Sequence, residues 1–140
     1  MVKVTSTPID LQQIMTDIAT PASGGIDVFV GMVRNHSEGK AVTRLEYTAY
    51  VPMAEELLGE IESEIRARWP VHQVILVHRI GSLVVGDIAV VTAVASSHRN
   101  EAFEACRHAI ERIKADAPIW KKEIWAAAEH AGVSHAKGRG

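Results

Sequence analysis

The spacing of apolar residues changes once along residues 87–114, DIAVVTAVASSHRNEAFEACRHAIERIK. This change indicates the fold class. The apolar run over 87–95 predicts a buried β-strand. From about residue 100 to 114 the apolar residues recur every three or four positions, as they do on one face of a helix. A buried strand that leads directly into an amphipathic helix predicts a domain of mixed α and β structure.

The rest of the chain repeats this mixture. One helix is expected to start with Thr7 as N-cap and to end at Thr20-Pro21, and a second is expected between Pro52 and Trp69. Further strands are predicted at 26–33, 42–50, 74–80 and 119–125. The first two of these strands, joined by a polar loop at 34–40, are expected to form a hairpin-like pair. We therefore predict an α+β fold in which helices pack on one face of a mainly antiparallel sheet.

Length and composition limit the classes of function. The 140 residues suit a single domain over 1–140, and a net charge of −2 gives no general attraction for nucleic acid or anionic lipid. Any anion site must therefore be local. The single cysteine, Cys106, excludes a disulfide framework and a Cys-rich metal site.

No membrane span is expected, because no apolar run reaches about 18 residues. The N-terminal residues lack the apolar stretch of a secretory signal, so the expected location is the cytoplasm. The tail over about 127–140 is rich in small residues and is expected to be flexible. The seven histidines have no metal-ligand spacing, so no metal and no cofactor is predicted.

A candidate anion site lies at residues 96–101, SSHRNE, where the strand ends and the helix begins. Free backbone N–H groups and the positive end of the helix dipole favour anions there, and His98 and Arg99 add donors. In the alternative interpretation, Ser97 only caps the helix and the two basic side chains are solvated.

Two lysines form a second candidate site. Lys114 ends the helix, where the dipole alone would favour a cation. Strand alternation sends Lys121 and Lys122 to opposite faces, so one of them faces inward unless the strand is an exposed edge. A partly desolvated lysine can lose its proton and act as base or nucleophile. Arg34, directly after a buried strand, is a further candidate, with a solvated loop position as the alternative.

These features combine in a pattern that resembles the large, catalytic subunit family of molybdopterin synthase, over about residues 24–125. The segments that carry the resemblance are FVGMVR at 29–34, LEYTAY at 45–50, HRIGSL at 78–83, SHRNEAF at 97–103 and PIWKKE at 118–123. The resemblance implies an α/β hammerhead fold. It also implies a sulfurtransferase that inserts two sulfurs into cyclic pyranopterin monophosphate, which makes molybdopterin for molybdenum cofactor biosynthesis.

The resemblance further implies partners and site residues. The sulfur donor would be the C-terminal Gly-Gly thiocarboxylate of a small ubiquitin-like subunit, and a homodimer of this chain would form the core of a heterotetramer. Lys114 and Lys121 match the catalytic lysines of the family. Arg34, His98 and Arg99 match its substrate-binding residues, with Arg34 reaching a pocket shared across the dimer. The alternative function is a non-catalytic scaffold that binds an anion and a ubiquitin-like tail.

Overall fold

The computed structural model describes residues 1–125 and 131–135. The helices are α1 (Leu11–Ile18), α2 (Val51–Arg68) and α3 (Arg99–Asp116). The strands are β1 (Val2–Thr5), β2 (Gly25–Met32), β3 (His36–Ser37), β4 (Lys40–Ala49), β5 (Val71–Arg79), β6 (Gly81–Val84), β7 (Ile88–Ser96), β8 (Ile119–Trp125) and β9 (Ala131–His135).

The strands form two sheets. The first has the order β1-β5-β7-β2, and the second has the order β3-β4-β8-β9 with β6 also paired to β4. Only β1 and β5 run parallel among the pairs of described strands. The α+β class with mainly antiparallel sheets is therefore confirmed.

Strand β5 explains why the first sheet is covered on both sides. Its residues alternate between two cores: Val74 and Leu76 pack with α2 and α3, whereas Ile75 and Val77 pack with α1. A strand that is apolar on both faces has to be buried on both faces. The two long helices thus share one face, as expected, and the short helix α1 lies on the opposite face.

The expected hairpin of the strands near 26–33 and 42–50 is wrong. Strand β2 pairs with β7 in the first sheet, whereas β4 pairs with β6 and β8 in the second. The chain leaves the first sheet at Val33, whose backbone is held by Asp87 and Gly86. Alternation predicts a strand but carries no information about its partner. As a result β2 is an edge of the first sheet.

The N-terminal region also differs from the prediction. The N-cap of α1 is Asp10, whose carboxylate accepts the Gln13 N–H at 3.0 Å, whereas Thr7 binds back to the Thr5 hydroxyl. An acidic side chain competes well with threonine for this position. Strand β1, which precedes this turn, was not expected from the sequence.

The predicted flexible tail over 127–140 contains strand β9, which pairs antiparallel with β8 from Ala131 to His135. The other residues of that tail lie outside the described residues, and one domain over 1–140 stays a prediction. Within the described part of the chain, no helix is both long and apolar enough to cross a bilayer.

Gly24 allows the close approach of β2 to the end of β7. A Cβ at Gly24 would lie 2.3 Å from the Ser97 carbonyl oxygen, whereas a Cβ at Gly59 in α2 would meet nothing within 4 Å. We expect Gly24→Ala to lower the free energy of unfolding by about 1–3 kcal/mol, because backbone must move. The matched control Gly59→Ala should raise it by about 0.5–1 kcal/mol, since alanine favours helix. Urea unfolding of both variants checks this; equal effects would contradict it.

Candidate active site

The register of β4 and β8 decides which lysine faces inward. Tyr47 is directly opposite Lys121, so the two side chains share one face of the second sheet. Lys121 is only 5% exposed and lies on the same face as the fully buried Ile119, whereas Lys122 is exposed. Because β8 lies between β4 and β9, it is not a sheet edge. The alternative in which the lysine lies on an exposed edge strand therefore does not apply to Lys121.

The end of α3 brings a second amine to the same place. The pKa of Lys114 is lowered from 10.5 to about 8, first because burial removes water from the ammonium, and then because Lys121 and Arg34 repel it. The structure thus brings three of the five candidate residues together. We call these three side chains, together with the cleft that Arg34 and Lys121 line, the lysine pocket.

A carboxylate and a phenol belong to the wall of this pocket. Glu123 accepts hydrogen bonds from the Ser37 hydroxyl at 3.3 Å and from the Trp125 indole N–H at 3.2 Å, so its position is held from two sides. The pKa of Tyr47 is raised to about 12, first because the phenol is buried and then because the charge of Glu123 disfavours a phenolate. The cleft beside Lys121 is lined by Met32, Arg34, His36, Ser37, Val42, Leu45, Tyr47 and Glu123.

Tyr47 and Glu123 were not among the residues predicted for the site. Alternation along β8 could have found Glu123, because it shares a face with Lys121. Tyr47 enters the site only through the pairing of β4 with β8, which joins residues more than seventy positions apart in the sequence. No local signal in the sequence reports such a pairing.

His98 and Arg99 lie at the other end of α3. His98 is the N-cap residue and its side chain makes no capping hydrogen bond; both side chains are exposed. The Ser97 hydroxyl pairs with His72 Nε2 at 2.8 Å, so Ser97 does not cap the helix. The start of α3 therefore has the free N–H groups that an anion site needs.

The length of α3 separates this anion site from the lysine pocket of the same chain. The positions of Arg99 and Lys114 are fifteen residues apart, which at 1.5 Å per residue is about 22 Å. One chain alone therefore does not bring His98 and Arg99 to the two lysines.

The lysine pocket can hold an anion and move a proton. Positive charges in a partly desolvated wall stabilise negative charge that develops during a reaction. An amine with a pKa near 8 can also give up and regain a proton near neutral pH. Within the described residues, no group of three histidine, cysteine or acidic side chains could hold a metal ion.

Comparison with known proteins points to one family. The family model described as MoaE protein matches residues 4–116. A molybdopterin synthase catalytic subunit of Nostoc sp. is 48% identical over 123 residues, which is 87% of this chain and 74% of the relative. The crystal structure of molybdopterin synthase from Staphylococcus aureus is similar with a TM-score of 0.88 and 43% identity, over 94% of each chain.

A third comparison concerns an assembly. The chain is similar to one from a complex of subunits 1 and 2 of molybdopterin-converting factor from Helicobacter pylori, with a TM-score of 0.76 over 98% of this chain and 90% of that one. The identity is 20%, so this likeness shows the fold alone.

The repulsion between the two lysines can be measured directly. We expect Lys121→Gln to raise the pKa of Lys114 above about 8, because a like charge is removed, but not to 10.5, because burial remains the largest cause of the shift. The pH dependence of labelling at Lys114 by an amine reagent, followed by mass spectrometry, gives this pKa. Lys122→Gln removes the exposed neighbouring charge and should leave it unchanged. Equal shifts in both variants would disprove the proximity of Lys114 and Lys121.

Proposed function

The chain belongs to the MoaE protein family, and on that basis we propose that its lysine pocket transfers sulfur to a pterin phosphate. Its curated relatives are molybdopterin synthase catalytic subunits, so the chain is an enzyme subunit of molybdenum cofactor biosynthesis. The observation that carries the proposal is that Lys114 lies close enough to Lys121 and Arg34 to be repelled by both, beside a cleft that Arg34 and Lys121 line.

In the proposed reaction, a thiocarboxylate at the C-terminal Gly-Gly of a small ubiquitin-like subunit enters the lysine pocket. Its sulfur forms a bond to a carbon of cyclic pyranopterin monophosphate as a C–O bond at that carbon breaks, and the departing oxygen takes up a proton. Water then attacks the acyl carbon and breaks its bond to sulfur. The products of each cycle are a sulfur bound to the pterin and a free carboxylate on the small subunit. Two such cycles supply the two sulfurs of molybdopterin.

The pKa of Lys114 supports a division of roles. A pKa of about 8 suits a group that moves protons near neutral pH, so we assign the proton transfers to Lys114. Lys121 lies nearly buried beside Tyr47, and we assign it the stabilisation of the negative charge that forms on the acyl oxygen. A lysine with a lowered pKa is of no use to a scaffold that only binds, so the pocket favours catalysis.

We propose that a second copy of this chain completes the site. Strand β2 is a sheet edge with exposed apolar side chains at Ile26, Phe29 and Met32. Its first residue, Gly25, lies against Arg99, since a Cβ there would be 3.2 Å from the Arg99 backbone nitrogen, and Arg34 lies two residues beyond its last residue. Two antiparallel copies of β2 around a two-fold axis would therefore set His98 and Arg99 of one copy beside the lysine pocket of the other.

In this arrangement His98, Arg99 and the start of α3 hold the substrate phosphate. The homodimer forms the core of a heterotetramer with one small subunit at each end. The Helicobacter pylori chain of the same fold lies in a complex with a second subunit of molybdopterin-converting factor. That complex is consistent with a small subunit as the partner of this chain. A cytoplasmic location is part of the proposal, because the only cysteine, Cys106, is a buried free thiol.

Removal of the Lys114 amine should stop the reaction. With thiocarboxylated small subunit and pterin precursor, we expect Lys114→Ala to lower kcat by at least about 10²-fold, because a proton carrier is lost. The dimer should remain intact in sedimentation. Lys122→Ala, which removes an exposed lysine on the opposite face of β8, is the control and should keep normal turnover. Near-normal turnover by Lys114→Ala would refute its role.

A mixture of two inactive variants tests the shared site. In the proposed dimer, each site takes its lysine pocket from one chain and its Arg99 from the other. A dimer of one Lys114→Ala chain and one Arg99→Ala chain therefore has one site with both changes and one site with neither. If the chains exchange at random and substrate is limiting, about a quarter of all sites regain wild-type composition. Activity well above that of either variant alone is expected after co-refolding. No gain in activity, with mixed dimers shown by mass spectrometry, would mean that each site is built from one chain.

A further inference from the structure

The phenol of Tyr47 is a buried polar group at the wall of the lysine pocket. The residue is only 7% exposed, and it lines the cleft together with Arg34 and Lys121. Its hydroxyl makes no hydrogen bond to another described residue, yet it is not a fully enclosed atom, so it opens to the cleft. Buried polar groups are nearly always hydrogen-bonded, so such a hydroxyl indicates a ligand in the cleft.

The ring that carries this hydroxyl is held in place. It meets the ring of His78 edge to face, with centroids 5.1 Å apart and an angle of 72° between the two planes. The His78 ring is itself buried and fixed, because its Nδ1 pairs with the carbonyl oxygen of Arg79 at 2.8 Å. The Tyr47 hydroxyl is therefore preorganised, and it can bind a ligand without reorganisation of the wall.

Lys121 is the cationic donor next to Tyr47. The two residues are directly opposite each other in the β4–β8 ladder, and their side chains lie on the same face of the sheet. Side chains opposite each other start from Cβ atoms about 4.5–5.5 Å apart. An anionic oxygen that binds the Lys121 ammonium in the cleft can therefore also accept a hydrogen bond from the Tyr47 hydroxyl.

No protein carboxylate takes this hydrogen bond. The carboxylate of Glu123 accepts hydrogen bonds from Ser37 and Trp125, one at each oxygen, and none joins it to Tyr47 among the described residues. The pKa of Tyr47 is about 12, so the phenol remains protonated and neutral near neutral pH. A neutral donor suits a site with three cations, since a fourth positive charge would add to the repulsion.

We infer that Tyr47 is a further catalytic residue: its hydroxyl donates a hydrogen bond to the acyl oxygen at the end of the small-subunit tail, beside Lys121. This oxygen gains negative charge as water attacks the acyl carbon, and a carboxylate forms when the carbon–sulfur bond breaks. The released protons pass to the Lys114 amine and to solvent, whereas Tyr47 keeps its proton. The identity of the ligand rests on the proposed function, but the unpartnered hydroxyl at the cleft does not.

The two tyrosines of the chain provide a matched pair of substitutions. Tyr47→Phe removes one oxygen and keeps the ring that packs on His78. We expect kcat to fall by about 10²-fold, the usual cost of losing one donor to a developing oxyanion, with little change in KM for the small subunit. Tyr50→Phe removes the hydroxyl of a 63% exposed side chain and should leave turnover unchanged. A kcat of Tyr47→Phe equal to that of the unmodified protein would overturn the inference.

Thermal unfolding of Tyr47→Phe distinguishes catalysis from a structural role. No hydrogen bond within the described part of the protein is lost with the oxygen, so the midpoint temperature should not decrease. A clear decrease, together with a fall in kcat that only follows the loss of folded protein, would show a structural role for the hydroxyl and overturn the inference.

A binding experiment tests the hydrogen bond without any chemistry. With tyrosine labelled with ¹³C at the carbon that bears the hydroxyl, the spectrum has two resonances, which the two Phe variants assign. Saturation with the small subunit in its carboxylate form should shift the Tyr47 resonance and leave that of Tyr50 in place. A small subunit that lacks its last two glycines should not shift it. An unchanged Tyr47 resonance, or an equal shift with the truncated subunit, would overturn the inference.

The two readouts separate the possible failures. If the unmodified protein transfers no sulfur but the Tyr47 resonance shifts only with the complete tail, the proposed function fails and the hydrogen bond from Tyr47 stands. If the protein transfers sulfur and Tyr47→Phe keeps its kcat, the proposed function stands and the inference fails. Absence of any binding of the small subunit would refute both.

Discussion

Three positive charges, on Arg34, Lys114 and Lys121, repel one another in a cleft from which water is partly excluded. Like charges in such surroundings would separate if their side chains were free to do so. The backbone prevents this, because Lys114 is on α3, Lys121 is on β8 and Arg34 comes after β2. Each of these elements is held in place by its packing or strand pairing with other parts of the protein. The helix that carries Lys114 is fixed by buried Ala105, Ala109 and Ile113. The free energy that the packed core supplies thus maintains an arrangement that is unfavourable in itself.

The same repulsion makes the pocket reactive. Burial and two neighbouring cations reduce the pKa of Lys114 to about 8, so the amine exchanges protons in the neutral range. An anionic ligand would relieve the repulsion, and a protein whose net charge is −2 has no other general attraction for anions. Glu123, held by hydrogen bonds from Ser37 and Trp125, is the one carboxylate among the described residues that line the cleft beside Lys121. The binding of anions and the part of the Lys114 pKa shift that burial does not cause therefore have one physical origin, the repulsion among the cations.

Helix α3 separates the two groups of basic side chains that we propose as anion sites. Its first turn presents His98 and Arg99, and its last turn presents Lys114, about 22 Å away. Rigidity makes the separation fixed, so the two groups can serve one substrate only if a second molecule contributes. The unpaired edge of β2, with its exposed apolar side chains, is where the proposed dimer would form. A long, exposed, apolar edge is unusual in a protein that remains a single chain.

The elements of the fold were largely predictable, because alternation and helical periodicity are local properties of the chain. The strand at 119–125, and the placement of Lys121 and Lys122 on its opposite faces, follow from residues within a few positions of each other. The pairing with β4 decided that Lys121 is the inward one. The motif segments also carried the family resemblance. The tertiary structure decided what depends on long-range pairing: that β2 and β4 belong to different sheets, that Tyr47 lies beside Lys121, and that the Tyr47 and His78 rings meet edge to face. It also decided that the candidate residues fall into two groups at opposite ends of one helix. Such relations join residues far apart in sequence, and no local pattern encodes the partner of a strand or the direction in which a helix packs.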